Sequence, residues 1–267
     1  MGEKAILVVS FGTSYKETRE KTIGAIEAAI GAAYPDWEVR RAFTSGFIIK
    51  KILREEGIRI DTVEESLLRM LADGISEVIV QPTHMMNGGE YEKLVEQCRA
   101  VWDQFDGFSI GAPLLIDPLD FDELVTAVTA ATADYDDGRT AVCFMGHGTT
   151  AESNTVYSEL QATFRRNGFE NYYIGTVEAE PSLEDLLAYV KTNPAYQRVV
   201  LQPLMVVAGD HAINDMAGEG EDSWKNTFAT AGYDVHCIVE GLGENADVQV
   251  MYVRHAGEAM ERLEGVR

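Results

Sequence analysis

Ala5-Ile6-Leu7-Val8-Val9-Ser10-Phe11-Gly12-Thr13-Ser14 and Ala141-Val142-Cys143-Phe144-Met145-Gly146-His147-Gly148-Thr149-Thr150 read as one strand and turn written twice. A second pair follows in the same order. Val78-Ile79-Val80-Gln81-Pro82 lines up with Val199-Val200-Leu201-Gln202-Pro203, after which Gly88 falls on Gly209. Two matches in sequence order imply an internal duplication of about 130 residues. The halves are expected at 1–135 and 136–267, meeting near the acidic, glycine-containing stretch Asp134–Arg139. Runs such as Ile6-Leu7-Val8-Val9 and Val199-Val200-Leu201 are apolar without alternation, the mark of parallel strands buried on both faces.

Outward from these anchors, eight β-rich runs alternate with helical patterns. The runs are Ala5–Ser10, Glu38–Thr44, Glu77–Pro82, Phe108–Ala112, Ala141–Gly146, Tyr172–Glu178, Arg198–Pro203 and Asp234–Val239. Helical period marks Thr18–Ala33, Thr62–Ala72, Gly89–Phe105, Phe121–Ala133, Ser182–Lys191 and Val248–Leu263. Capping signals support two of these starts: Asp61 or Thr62 precedes Glu64-Glu65, and Pro181-Ser182 precedes Glu184-Asp185. The fold class is therefore α/β, with two similar doubly wound, Rossmann-like parallel-sheet halves of four core strands each. The last helix is expected to pack back across the halves.

The 267 residues carry 44 acids against 22 Lys and Arg, a formal charge of −22. That balance excludes a nucleic-acid partner, since phosphate neutralisation needs clustered cations. It also disfavours anionic membrane surfaces. No apolar run reaches the roughly 20 residues of a membrane helix. The opening Met1-Gly2-Glu3-Lys4 and the short run Ala5–Val9 do not make a signal peptide. Cys98, Cys143 and Cys237 show no metal-type spacing, so a reduced, cytoplasmic compartment is expected.

In an open parallel sheet, ligands collect beyond the carboxyl ends of the strands. In the second half the chemistry-bearing residues there are His147, Glu178 and His211, after its first, second and third strands. A 2-1-3 strand order places the first strand centrally, and neighbouring strands lie about 4.8 Å apart. The three side chains can then converge. Two imidazoles and a carboxylate suit a borderline divalent metal such as cobalt, nickel, iron or zinc. They equally suit proton abstraction near neutral pH. Glycines beside His147 and before Asp210-His211 let a ligand approach the backbone closely. A strand-end histidine that is merely a satisfied loop residue is the competing reading.

Other motifs carry less. Arg254-His255-Ala256-Gly257-Glu258 is similar to the Arg-His-Gly-Glu run of phosphohistidine enzymes, but it sits in the amphipathic C-terminal segment and reads as surface helix. His236 lies inside a strand run and reads as structural. Gly218-Glu219-Gly220-Glu221-Asp222 places acids where a phosphate would lie. No Gly-x-Gly-x-x-Gly follows the first strand and Gly-x-Ser-x-Gly is absent, which argues against nicotinamide oxidoreductases and α/β-hydrolases.

The chain resembles the class II chelatases, specifically the CbiK-type anaerobic cobaltochelatases. The likeness rests on Leu7–Ser14, Arg41–Gly46, Asn87–Lys93, Met145–Gly148, Gly175–Glu178, Pro203–Met216, Asp222–Lys225 and Gly241–Asn245, which span almost the whole chain. Glu180 departs from it, standing where the family carries a bulky residue. The resemblance implies chelatase-type halves with a cleft between them. It implies insertion of Co(II) into sirohydrochlorin without ATP, in anaerobic cobalamin biosynthesis, with no nucleotide and no organic cofactor. It carries the metal-binding and catalytic triad onto His147, Glu178 and His211, with His147 as proton acceptor. The expected partners are sirohydrochlorin and a divalent metal, and a homo-oligomer stays open. Iron insertion giving sirohaem, a tetrapyrrole carrier without turnover and a metal-dependent hydrolase are the alternatives.

In the internal alignment Phe11 takes the place of His147, and Glu90 that of His211. The N-terminal half is therefore expected to form the macrocycle-side wall. Its substrate-binding candidates are Ser10, Phe11, Gly12 and Thr13 after the first strand, and Thr83, His84 and Met86 after the third. His84 would hydrogen-bond a propionate or approach a bound metallo-tetrapyrrole axially. A polycarboxylate meeting so acidic a protein needs local cations, and Arg40, Arg41, Lys50, Lys51 and Arg54 are the densest basic group. A solvated helix face is the alternative reading of those five.

Overall fold

The apolar runs become the inner strands of two all-parallel sheets. A computed structural model describes residues Glu3–Gly265. Met1, Gly2, Val266 and Arg267, and so both outer limits of the expected halves at 1 and 267, lie outside the described residues. Contacts divide the chain into two units, one running to Asp120 and resuming at Ala246, the other Phe121–Asn245.

The first unit begins with β1 (Glu3–Ser10), α1 (Lys16–Arg19), α2 (Ala25–Ala33), β2 (Glu38–Phe43) and α3 (Gly46–Glu56). It continues with β3 (Asp61–Thr62), α4 (Val63–Ala72), β4 (Ile75–Pro82), α5 (Gly89–Arg99) and β5 (Gly107–Ile110). Helix α6 (Pro118–Ala131) follows, and the division falls within it. The second unit holds β6 (Thr140–Gly146), α7 (Thr155–Arg166), β7 (Tyr172–Thr176), α8 (Leu183–Lys191), β8 (Arg198–Pro203), α9 (Trp224–Thr230) and β9 (Asp234–Cys237). Helix α10 (Ala246–Gly265) returns to the first unit.

The sheet orders are β3-β2-β1-β4-β5 and β7-β6-β8-β9. In each, the first strand of the duplicated pattern is central, and its side chains from Ala5 to Val9, or Ala141 to Met145, are fully buried. Burial on both faces is what helices on both sides of a parallel sheet require. Reciprocal caps form at both of these starts: Thr62 with Glu65 at α4, and Ser182 with Asp185 at α8. No helix among the described residues is long and apolar enough to cross a membrane.

The structure adds to or departs from the sequence reading at several points. The contact division falls at Asp120, not near residue 135, because α6 is tied into the second unit. Thr132 and Tyr172 share a hydroxyl hydrogen bond, and Asn167 Nδ2 donates to Asp122. Helix α10 packs on α2, β4 and β5, with Tyr252 Oη donating to the Thr83 carbonyl and Tyr34 Oη to that of Val253. His255 is not on a surface face: it is fully buried, its Nε2 2.9 Å from Asp120 Oδ1, while Arg254 Nη2 reaches the same oxygen at 2.5 Å. The basic group is not one patch. Arg40 and Arg41 are neighbours on a strand and point to opposite faces; Arg40 pairs with Glu38 and Asp73, Arg41 with Glu27. Arg54 pairs with Glu55, which leaves Lys50 and Lys51 on α3 without a carboxylate partner among the described residues. The reading Gly89–Phe105 breaks at Arg99, followed by a tight turn at Trp102–Gln104. His236 sits exposed on β9 with its ring 5.5 Å from that of Tyr135.

Candidate metal centre

The loop after β6 is built around two glycines. A Cβ on Gly146 would sit 2.3 Å from the Tyr157 ring, so glycine lets that ring pack beneath the strand end. Tyr157 Oη in turn accepts from the Gly148 amide at 3.2 Å. Gly148 takes φ +83°, a left-handed conformation that turns its carbonyl back onto His147 Nδ1 at 2.9 Å. The β6–β7 ladder runs on past the formal strand ends, since Val177 N donates to Gly146 O and Glu178 N to His147 O at 2.9 Å. That bridge fixes Glu178 beside His147, with Glu178 Oε2 3.8 Å from His147 Nδ1.

The third element comes from the loop after β8. Leu204 N donates to Met145 O, and Leu242 N and Gly243 N donate to Met205 O and Val206 O. Gly241 is needed there, because a Cβ would meet Val206 O at 2.5 Å. The loop opens into a wide-wound π-type turn, His211–Met216, headed by His211. Such turns occur frequently at functional sites. The His147 and His211 rings lie 5.0 Å apart, edge to face at 87°. His211 Nδ1 is 2.5 Å from Asp215 Oδ2.

His147, Glu178 and His211 each offer one ligand atom, all within 4.8 Å of one another. Among the described residues they are the one group of three or more His, Cys, Asp or Glu so placed. His147 and Glu178 are exposed and His211 half-buried, so a large ligand can reach the donors from solvent. Cys98 and Cys143 are buried and Cys237 half-buried, all free thiols; burial raises Cys98 to about 12. None of the three is in the group.

The first unit repeats this backbone frame with different side chains. Thr83 N donates to Val9 O as Leu204 N does to Met145 O, and Thr44 N to Ser10 O as Val177 N does to Gly146 O. Ser45 N donates to Phe11 O where Glu178 N donates to His147 O, which makes Ser45 the counterpart of Glu178. Gly88 N to Met86 O matches Gly209 N to Val207 O, both at 3.0 Å. Gly12, at φ +97°, stands where Gly148 stands. The frame is duplicated and the donors are not.

The seven N-terminal candidates divide by environment. Phe11 is half exposed at 51%, and His84 and Met86 are half-buried. Ser10 and Thr83 are buried and satisfy each other through a 2.7 Å hydroxyl hydrogen bond. Thr13 Oγ1 accepts from Tyr15 N. A Cβ on Gly12 would lie 2.4 Å from the Phe43 ring. His84 has no partner for either ring nitrogen among the described residues, and burial, only partly opposed by Glu90, pushes it down to about 4. Two neighbours of the triad, Tyr157 and Asp215, are not among the sequence candidates. For Asp215 the available signal is His-x-x-x-Asp, a four-residue spacing that faces both side chains together on a helical turn.

The chain is similar to known proteins along nearly its whole length. A family model described as cobalt chelatase (CbiK) matches residues 4–261. Sirohydrochlorin cobaltochelatase of Salmonella typhimurium is 39% identical over 258 residues, 97% of each chain. Sirohydrochlorin cobaltochelatase CbiKC of Nitratidesulfovibrio vulgaris is 30% identical over 266 residues, covering 99% of this chain and 93% of that one. Among solved structures, SirB from Bacillus subtilis with Fe3+ shares the fold at a TM-score of 0.71 and 14% identity, covering 98% of both chains. With a family model spanning nearly every residue and relatives matched end to end, this chain belongs to the CbiK cobalt chelatase family.

Proposed function

We propose that this protein inserts Co(II) into sirohydrochlorin without ATP, as a step in anaerobic cobalamin biosynthesis. The observation that carries the reading is the convergence of His147, Glu178 and His211 at the strand ends of the second unit. Its setting in a chain 39% identical to a relative named for that reaction supports it.

Co(II) is a substrate here and must be held and then released. Two imidazoles and a carboxylate suit a borderline ion while leaving coordination positions open. A tetrathiolate site would keep the ion; this donor set yields it to four macrocycle nitrogens. Two pyrrole N–H protons must leave as the dication enters, so charge balances with no further reactant. His147 takes one proton, and the second leaves through Glu178 or solvent. The first unit supplies macrocycle-binding residues from Ser10, Phe11, Gly12, Thr13, Thr83, His84 and Met86. Phe11 offers apolar surface and His84 a neutral imidazole with both nitrogens unpartnered.

The test is the absorbance of sirohydrochlorin with protein and Co(II), without ATP and without oxygen, against a control lacking protein. Protein-dependent conversion that His147→Ala abolishes is the expected result. Binding without conversion would instead make the protein a tetrapyrrole carrier. Faster conversion with Fe(II) than with Co(II) would favour the sirohaem outcome.

A further inference from the structure

We infer that Asp215 is a positioning residue that makes His211 the anchoring ligand of the substrate metal, a conclusion that rests on the function proposed above. A neutral imidazole has one N–H and one lone pair, and the partner of the first fixes the second. Asp215 Oδ2 lies 2.5 Å from His211 Nδ1, so that nitrogen donates to the carboxylate and Nε2 keeps the lone pair. His147 reaches the same tautomer by another route. Its Nδ1 lies 2.9 Å from the Gly148 carbonyl, which can only accept, so its Nε2 is again the free donor atom.

Both histidines thus offer Nε2, but their supports differ in charge. A carboxylate behind an imidazole strengthens it as a ligand and fixes the ring, whereas a carbonyl supplies only a dipole. The His211–Asp215 pair is therefore the tighter arm, and His147 the arm that lets go first. Geometry supports the assignment, because both members of the pair lie on the single turn His211–Met216. His147 sits instead in a loop held by Tyr157 and by the bridge to Glu178.

The experiment measures Co(II) affinity without tetrapyrrole, by competition with a chromophoric chelator, for wild type and the Asp215→Ala, Asp215→Asn, His147→Ala and His211→Ala variants. Sirohydrochlorin affinity is measured separately by fluorescence quenching. Asp215→Ala should weaken Co(II) binding about 10- to 100-fold. Asp215→Asn, which keeps an acceptor oxygen but loses the charge, should fall between it and wild type. His211→Ala should lose more Co(II) affinity than His147→Ala, and Asp215→Ala should leave sirohydrochlorin affinity within about twofold. Wild-type Co(II) affinity in Asp215→Ala, with affinity lost in His211→Ala, would overturn the positioning role and leave the metal centre standing. Equal loss of both ligands in Asp215→Ala and Asp215→Asn would overturn it as general distortion. Unchanged Co(II) affinity in His211→Ala as well would overturn the proposed function with it.

Discussion

Glu178 owes its place to its own amide, which donates to the His147 carbonyl, so its carboxylate can be changed without moving its backbone. Glu178→Gln keeps the shape and removes the charge. Co(II) affinity and the rate of conversion should each fall by on the order of tenfold. Chelator competition and turnover on the same preparation check this, and unchanged values would reduce Glu178 to a rim residue. His84 poses a different problem, since burial holds its imidazole neutral down to about pH 4. The unfolded chain takes up that proton below about 6.5, so the fold loses up to about 3 kcal/mol as pH falls from 6.5 to 4. His84→Gln should flatten urea midpoints across that window. His84→Ala should raise the KM for sirohydrochlorin with little effect on Co(II) affinity. The triad was readable because each member follows a strand whose apolar run is unmistakable. Asp215 was not, because its importance lies in one contact across a π-type turn.

At the scale of the element, the strand-end turn carries the most information. Gly12 and Gly148 both take positive φ, and the same backbone hydrogen bonds surround them. Gly148→Ala would force a strained backbone and bring Cβ to 2.8 Å from Ala179 N and 2.9 Å from Thr176 Cβ. The loop must shift, taking His147 with it. The expected result is a loss of about 1–3 kcal/mol in stability, with Co(II) affinity reduced beyond what the stability change explains. Thermal unfolding with a Co(II) titration measures both. All eight strands read from the sequence are present, and the inner ones, β1, β4, β6 and β8, stood out because a buried parallel strand is largely apolar. The two-residue β3 was too short to leave a pattern. Helices α3, α7 and α9 are not among the helical stretches read from the sequence.

Across the whole molecule, the first unit is closed by a buried charge cluster. Asp120 is fully buried and accepts from Arg254, His255 and the amides of Ile116 and Asp117. Burial pushes its carboxyl up, but these donors outweigh it and hold the group at about 2. The stability this supplies is present above about pH 3.8 and is lost as pH falls through about 2. Asp120→Asn leaves Arg254 and His255 without their anion and should cost about 3–5 kcal/mol. Denaturant unfolding at neutral pH checks the size, and the variant should lack the wild type's acid-dependent loss in that window. The duplication made the two sheets legible from sequence. The last helix is expected to pack back, but its partners α2, β4 and β5 were not legible, because a helix that returns over many residues leaves no local signature.

The discontinuity of the first unit also sets an order of events in time. A ribosome releases the chain from its N-terminus, so Phe121–Asn245 is complete while Ala246 is still to be added. Every strand of the second sheet therefore precedes Ala246 in the order of synthesis. The first, although begun earlier, still lacks the helix that brings Tyr252 to Thr83 and His255 to Asp120. The part of the protein that starts synthesis first is thus also the part whose last residues are made last.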